Sequence, residues 1–237
     1  MVAVDLFERL RDEPDRAAIL LDVDGTLAPI VERPEDALVP DETRAELERL
    51  ASRYALVACV SGRTSADAAA TVGVETVVYV GTHGLELEPK AERWAAAVHE
   101  FAAGVAWPPE DKGLTVAFHY RGALDEDAAR AELEEVAAAA RRAGLHARFG
   151  RKVLELLPPV EANKGTAIRR LLADRGLRRA LYAGDDTTDL DAFRALDGLE
   201  LPVRIAVASR EGPPDLCAAA DIVVANPAEL LMILRGL

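Results

Sequence analysis

Six strand-length stretches of the chain consist almost entirely of apolar residues and then end in small or polar ones. They are AAILLDVD, YALVACVSGR, TVVYVGTHG, RALYAGDD, VRIAVAS and DIVVANP. Strands buried on both faces of a parallel sheet are apolar throughout, whereas strands with one wet face alternate. Helical patterns such as PDETRAELERLASR and KGTAIRRLLADRG lie between several of these stretches. The sequence therefore predicts an α/β fold with a doubly wound, mainly parallel, Rossmann-like core sheet.

The alternation breaks in the middle of the chain. From about residue 88 the pattern reads helix, strand, helix, strand, and its strand ends lack the acidic residues seen elsewhere. Pro-Pro pairs at residues 108–109 and 158–159 mark turns in this segment. We therefore expect a core domain formed by residues 1–87 and 160–237, interrupted by an inserted α/β domain at residues 88–159.

Charge and composition exclude several classes of partner. The formal net charge is −13 and no Lys/Arg-rich block is present, which argues against nucleic-acid binding because that affinity depends on clustered cations. No apolar run approaches the roughly 20 residues of a membrane span, and the charged N-terminal stretch lacks the apolar segment of a signal peptide. Cys59 and Cys217 have no metal-site or disulfide spacing. We expect a cytoplasmic protein that acts on a small molecule; protein partners are not predicted.

Charged and hydroxylic residues follow the predicted strands. In open α/β sheets, ligands bind beyond the carboxyl ends of the strands. The residues expected at that edge include Asp22, Asp24, Thr26, Ser61, Arg63, Asp185, Asp186, Asp189 and, at the start of a helix, Lys164. Asp is also common at helix N-caps and turns, which explains any one of these residues but not the set. Five carboxylates repel one another, and a divalent cation such as Mg²⁺ would relieve the repulsion.

These residues resemble the four motifs of the haloacid dehalogenase superfamily. DVDGTL is similar to its first motif, Ser61 in VSGR to its second, Lys164 in NKG to its third and GDDTTD to its fourth. The order of the motifs and their places at strand ends also agree. The resemblance implies a Mg²⁺-dependent phosphohydrolase that works through an aspartyl-phosphate intermediate.

The same resemblance implies a role for each residue. Asp22 would be the nucleophile, and Asp24 the general acid and then the general base. The implied metal ligands are Asp22, the backbone carbonyl of Asp24, and Asp185. The implied phosphate-binding residues are Ser61, Gly62 and Lys164, of which Lys164 also counts as catalytic. Asp189 or Asp186 would orient Lys164 or a metal-bound water, and the sequence does not rank these two.

Longer segments resemble trehalose-6-phosphate phosphatases. The similar segments are AGDDTTDLDAF, EDKGLTVAFHYRG, GRKVLELLP and GTHGLE. The resemblance implies that the inserted domain is a cap that recognises trehalose 6-phosphate. A disaccharide phosphate offers many hydroxyls and no apolar handle, so charged and bidentate hydrogen-bonding groups suit it. The expected substrate-binding residues are Lys112, His119, Arg121, Arg151 and Glu155.

Three positions depart from that family pattern. Val23 replaces a common Tyr, Leu190 replaces Glu, and Leu157 stands where a charged residue usually follows the cap glutamate. The last two leave other substrates open, namely sucrose 6-phosphate, glucosyl-3-phosphoglycerate and mannosyl-3-phosphoglycerate. Two further alternatives are a sugar phosphomutase and a receiver-like domain that holds phosphate. Asp24 argues against the receiver, because a second carboxylate suited to acid/base work promotes loss of the phosphate.

Overall fold

A computed structural model describes residues 2–31, 33, 36–150, 152–209 and 212–237. The chain divides into two compact units. Met1–Gly84 and Ala162–Leu237 together form the first, which we call the core unit, and Leu85–Glu161 form the second, the inserted unit. Within the described ranges, no helix combines the length and the apolar character needed to cross a membrane.

The core unit contains a six-stranded sheet in which all neighbouring strands run parallel. Its strands are β1 (Ala17–Leu21), β2 (Leu56–Val60), β3 (Val78–Val80), β8 (Arg179–Gly184), β9 (Leu201–Val207) and β10 (Ile222–Val224). They lie in the order β10-β9-β8-β1-β2-β3. The sheet confirms the predicted α/β class with a parallel core.

Helices cover both faces of this sheet. They are α1 (Val2–Asp12), α2 (Asp41–Arg53), α3 (Ser65–Val72), α6 (Lys164–Ala173), α7 (Asp189–Ala195), α8 (Pro214–Ala219) and α9 (Pro227–Arg235). Leu181 of β8 packs in one cluster with Leu47 of α2 and Leu230 of α9. The next residue, Tyr182, points to the opposite face, where its ring contacts Phe193 of α7. Because both faces are covered, all residues of β1 and β2 are buried.

The inserted unit is a four-stranded antiparallel sheet with two helices. Its elements are α4 (Glu92–Ala103), β4 (Glu110–Asp111), β5 (Val116–His119), α5 (Glu126–Arg142), β6 (His146–Gly150) and β7 (Val153–Leu157), and the strand order is β4-β5-β7-β6. Val98 of α4 and Leu133 of α5 pack with Phe118 and Leu154 in a separate apolar cluster. The helices therefore cover one face of the sheet.

The expected order of helix, strand, helix, strand is wrong in this unit. The segment HARFGRKVLELLPP forms two strands, β6 and β7, which pair antiparallel, and a further short strand, β4, pairs with β5. Lys152, at φ 60°, lies in the turn between β6 and β7. A continuous run of apolar and charged residues concealed this tight hairpin, because the run contains only one glycine as a turn signal.

Candidate active site

Three strand ends bring buried polar residues to one edge of the core sheet. The register pairs Leu21 of β1 with Cys59 of β2 on one side and with Ala183 of β8 on the other. One residue beyond this row lies Asp22, and two residues beyond it lie Ser61 and Asp185. All three side chains are buried. Buried polar groups cost free energy unless they are paired, so the partners of these side chains matter.

Lys164 supplies the buried positive charge at this edge. Asn163 and Thr166 form a reciprocal capping box, which starts α6 at Lys164. The Lys164 side chain is 2% exposed, and its Nζ lies 2.9 Å from Asp22 Oδ1 and 2.7 Å from Asp189 Oδ1. The ammonium therefore bridges the predicted nucleophile and the fourth-motif carboxylate.

Asp189, rather than Asp186, holds Lys164. Asp189 Oδ1 accepts hydrogen bonds from Lys164 Nζ and, at 2.5 Å, from Tyr182 Oη. Its Oδ2 accepts from the backbone N–H groups of Asp185 and Asp186 at 2.9 and 2.8 Å. The Asp186 carboxylate instead accepts from the Thr187 N–H at 2.7 Å. Asp189 thus fixes both the lysine and the turn that carries Asp185.

The charges of this cluster do not balance. Burial raises the pKa of Asp22 well above its usual range; Lys164 opposes the rise, and Asp189 and Asp185 add to it. Burial alone would lower the pKa of Lys164, but Asp189 and Asp22 more than offset this, so the pKa is raised and the ammonium stays charged. Three carboxylates against one ammonium leave a formal charge of −2.

The donor set of the cluster fits a hard divalent cation. Asp22, Asp185 and Asp189 each offer a carboxylate oxygen, and these oxygens lie within 4.8 Å of one another. Mg²⁺ prefers oxygen ligands, and its charge would neutralise the formal −2. Gly25, at φ 78°, makes room for this arrangement, because a Cβ atom there would lie 2.1 Å from Asp185 Oδ2. The group of three carboxylates can therefore hold a metal ion.

Asp24 is paired with a cation that the sequence analysis did not assign. Arg63 Nε and Nη2 donate to Asp24 Oδ2 and Oδ1, both at 2.7 Å. A bidentate pair of this kind fixes the plane of the carboxylate as well as its charge. The available signal was the place of Arg63, two residues after Ser61 in the same strand-end loop.

A strained turn holds the loop that contains Ser61 and Gly62. Thr82 and His83 both have positive φ, 46° and 54°, which is costly for residues other than glycine. Thr82 N donates to Arg63 O and His83 N to Ser61 O, at 2.7 and 2.8 Å. A Cβ atom on Gly62 would meet His83 Nε2 at 2.6 Å. The turn therefore fixes the backbone of the predicted phosphate-binding loop.

The inserted unit places several predicted residues around Glu155. This buried carboxylate accepts from Thr115 Oγ1 at 3.2 Å and from Arg148 Nη2 at 2.5 Å, and Lys112 Nζ lies 3.9 Å away. Arg148 was missed because it lies directly across the unrecognised hairpin from Glu155. The structure therefore brings Lys112 and Glu155 together and adds Arg148.

The other predicted residues of the inserted unit lie outside this contact set. His119 Nε2 lies 2.6 Å from Glu110 Oε2, and this hydrogen bond is the largest cause of a lowered pKa at Glu110. Lys112 Nζ lies 3.7 Å from the same Glu110 oxygen, so Glu110 links His119 to the Glu155 group. Arg121 is exposed in the turn after β5. Arg151 lies outside the described residues.

Comparison with known families assigns the chain. The sequence model of the trehalose-phosphatase family matches residues 20–107 and 109–216, which include the four motifs and most of both units. The chain belongs to the trehalose-phosphatase family. The predicted resemblance is thereby confirmed.

Two individual relatives are considerably longer than the chain. The chain is 37% identical over 76% of its length to an uncharacterized glycosyl hydrolase of Mycobacterium tuberculosis, of which it covers 15%. It is 33% identical over 91% of its length to the trehalose-phosphate phosphatase of Mycobacterium marinum, of which it covers 60%. The chain therefore spans only part of these two relatives.

Solved structures share the fold of this trehalose-phosphatase family member. A trehalose-6-phosphate phosphatase related protein aligns over 92% of this chain and 95% of its own, at 26% identity and a TM-score of 0.72. A haloacid dehalogenase-like hydrolase from Bacteroides thetaiotaomicron aligns over 92% of this chain and 98% of its own, at 16% identity and a TM-score of 0.62. The second likeness concerns the fold alone.

Proposed function

We propose that the chain is a Mg²⁺-dependent phosphatase that hydrolyses trehalose 6-phosphate to trehalose and phosphate through an aspartyl-phosphate on Asp22. The observation that carries the proposal is the buried contact of Asp22 with Lys164, which Asp189 holds in place. A carboxylate beside a fixed ammonium can approach an anionic phosphoryl group, because the ammonium offsets the charge of both. Membership of the trehalose-phosphatase family supports the choice of substrate.

Two displacement steps follow from these residues. Asp22 attacks phosphorus, and the bond from phosphorus to the sugar oxygen breaks as the acyl phosphate forms. Asp24 gives a proton to the leaving oxygen, which departs as the sugar hydroxyl. Asp24 then takes a proton from water as the water oxygen attacks phosphorus, and Asp22 is released together with inorganic phosphate. Lys164 and Ser61 bind the non-bridging phosphoryl oxygens during both steps.

Asp22, Asp185 and the backbone carbonyl of Asp24 would hold Mg²⁺ in this proposal. Asp189 is the least suitable of the three clustered carboxylates as a ligand, because its oxygens already accept four hydrogen bonds. When bound, Mg²⁺ supplies positive charge that offsets the repulsion between the phosphoryl group and the nucleophile. Arg63 keeps the Asp24 carboxylate in a fixed orientation.

The inserted unit would serve as the cap domain, expected at residues 88–159, that recognises the sugar. Arg148 is hydrogen-bonded to Glu155, and Lys112 forms an ion pair with it, so the group offers both donors and acceptors, which suits a ligand rich in hydroxyls. His119 and Arg121 are further candidates. Arg151 belongs to the same proposal on its sequence position alone.

A related sugar phosphate is the second candidate substrate, and Leu157 is the observation that favours it. This side chain is buried and lies across the sheet from His146. No charge is therefore available where the family pattern has one, and a ligand group that needs that charge would not be recognised. Sucrose 6-phosphate and the glucosyl- and mannosyl-3-phosphoglycerates are the alternatives to be compared.

A phosphate-release panel tests the proposal. We expect the purified chain with Mg²⁺ to release inorganic phosphate faster from trehalose 6-phosphate than from sucrose 6-phosphate, glucosyl-3-phosphoglycerate or glucose 6-phosphate. Asp22→Asn should abolish release, and Asp15→Asn, which changes an exposed carboxylate, should not. Chelation should stop release and added Mg²⁺ should restore it. Faster release from another substrate would refute the substrate assignment, and turnover by Asp22→Asn would refute the mechanism.

A further inference from the structure

Tyr182 places a hydroxyl group inside an otherwise apolar strand. The residue lies in β8 within RALYAG and its side chain is fully buried. Its ring meets Phe193 of α7 edge-to-face, with centroids 6.1 Å apart. Packing of this kind needs only the ring, and a buried hydroxyl costs free energy unless it is hydrogen-bonded. The hydroxyl therefore calls for an explanation beyond core packing.

The Tyr182 hydroxyl donates a hydrogen bond to the carboxylate that holds Lys164. Tyr182 Oη donates to Asp189 Oδ1 at 2.5 Å, and the same oxygen accepts from Lys164 Nζ at 2.7 Å. Burial is the largest cause that raises the pKa of Tyr182 well above its usual range, so the hydroxyl stays protonated and acts as a donor. A buried chain of hydrogen bonds thus runs from Tyr182 through Asp189 and Lys164 to Asp22.

Two carboxylate oxygens contact the same ammonium group in this series of hydrogen bonds. Lys164 Nζ lies at nearly equal distances from Asp189 Oδ1 and Asp22 Oδ1, 2.7 and 2.9 Å. A second donor on the Asp189 oxygen reduces the negative charge that this oxygen presents to the lysine. Without Tyr182 Oη, the attraction of Asp189 for the ammonium would increase, and Lys164 would move away from Asp22.

We infer that Tyr182 is a positioning residue for phosphoryl transfer: its hydroxyl, acting through Asp189, sets where the Lys164 ammonium stands relative to Asp22. The inference rests on the proposed roles of Asp22 and Lys164. The inference gives a role in phosphoryl transfer to a residue of an apolar strand, where the sequence pattern indicates only core packing. Tyr182 touches none of the reacting atoms in this proposal; its effect is exerted entirely through the carboxylate.

Removal of the hydroxyl alone tests the inference. Because loss of this hydroxyl lets Asp189 draw Lys164 away from Asp22, we expect Tyr182→Phe to lower kcat by about tenfold with KM changed less than about twofold. Tyr79→Phe is the matched control, because Tyr79 Oη donates to a backbone carbonyl, Val74 O, at 2.8 Å. Its kcat should equal that of the unmodified chain.

A packing control separates positioning from stability. Phe193→Leu loosens the same ring contact and leaves the hydroxyl in place, so it should lower the unfolding temperature and leave kcat nearly unchanged. An equal fall in kcat for Phe193→Leu and Tyr182→Phe would assign the effect to packing and overturn the inference. An unchanged kcat in a folded Tyr182→Phe protein would overturn it as well.

A spectroscopic readout follows the lysine directly. Beryllium trifluoride with Mg²⁺ mimics a phosphorylated carboxylate, and fluorine NMR resolves the fluorines by their hydrogen-bond donors. We expect Tyr182→Phe to shift the resonance of the fluorine nearest Lys164, and Tyr79→Phe to shift none. Identical spectra for the two variants would refute the inference. Turnover by Asp22→Asn would instead refute the proposed function, so the two failures are distinguishable.

Discussion

Replacement of Asp22 by Asn is expected to stabilise the protein while it abolishes turnover. Asp22 is buried beside two other carboxylates and shares one ammonium with Asp189. Asn keeps an oxygen that can accept from Lys164 and removes the negative charge. Lys164 and Asp189 then remain as a matched pair. Asp22, the proposed nucleophile, is thus a group that costs stability in the absence of a metal ion.

The size of the effect follows from three pairs of charges. The carboxylate oxygens lie within 4.8 Å of one another, so at an effective dielectric constant of about 20 each pair repels by at least about 3.5 kcal/mol, whereas charges 2.9 Å apart attract by about 5.7 kcal/mol. Repulsion by Asp185 and Asp189 therefore exceeds attraction by Lys164 by at least about 1 kcal/mol. Desolvation adds to this cost. We expect Asp22→Asn to raise the melting temperature by at least about 2–4 °C, which corresponds to about 1 kcal/mol in a chain of this size.

The stability difference between Asp22→Asn and the unmodified chain should depend on pH and on bound metal. The folded pKa of Asp22 is raised, so protonated Asp22 favours the folded state. That stability is present below the unfolded pKa of about 3.9 and is lost as pH rises through the folded value. The gap between Asp22→Asn and the unmodified chain should open as pH rises. Saturating Mg²⁺ should narrow the gap, because it binds the folded unmodified site.

Thermal unfolding with a chelator at several pH values, then with added Mg²⁺, measures these changes. Asp15→Asn, which removes an exposed carboxylate, controls for the loss of one negative charge. A lower melting temperature for Asp22→Asn than for the unmodified chain at neutral pH without metal would refute the reasoning. An equal rise for Asp15→Asn would assign the effect to net charge instead of the buried cluster.

Two further substitutions test the neighbouring groups. Gly25→Ala should abolish metal-dependent activity and weaken Mg²⁺ binding in titration calorimetry, because its Cβ would overlap the carboxylate of Asp185. Gly198→Ala is the control, since Gly198 has a similar φ, 80°, and no neighbour within 4 Å. This variant should lose only about 1 kcal/mol of stability to backbone strain. Arg63→Met should lower kcat by about 10- to 100-fold in steady-state assays, because the hydrogen-bonded charge pair that orients Asp24 is lost. Arg33→Met is the control. It removes an exposed pair of the same bidentate form and should not change kcat.

The predictions for Gly25→Ala and Arg63→Met can each be refuted by the measurement named for them. Equal loss of Mg²⁺ affinity in both glycine variants would show that strain, and not overlap with the carboxylate, decides metal binding. Unchanged kcat in Arg63→Met would show that the orientation of Asp24 does not depend on this guanidinium.

The parallel sheet and the convergence of its acidic ends could be predicted from the sequence. Wholly apolar strands require two covered faces, and parallel strands place their carboxyl ends at one edge. Asp22, Lys164 and Asp185 therefore had to approach one another once each was assigned to a strand or helix end. The hairpin of the inserted unit was not predictable in this way, because the one glycine of the segment, Gly150, is the last residue of β6 and the sequence has no Asn-Gly or Asp-Gly pair there.

Which neighbours make contact was decided only by the tertiary structure. Asp186 and Asp189 are three residues apart, and the turn after β8 directs Asp189, not Asp186, toward Lys164. Arg63 reaches Asp24 from the loop after a different strand, and Tyr182 reaches Asp189 from within an apolar run. Sequence pattern specifies which edge or face a residue occupies. Hydrogen-bond partners depend on distances of a few tenths of an ångström, and these are set by the packing of β8, α6 and α7 together.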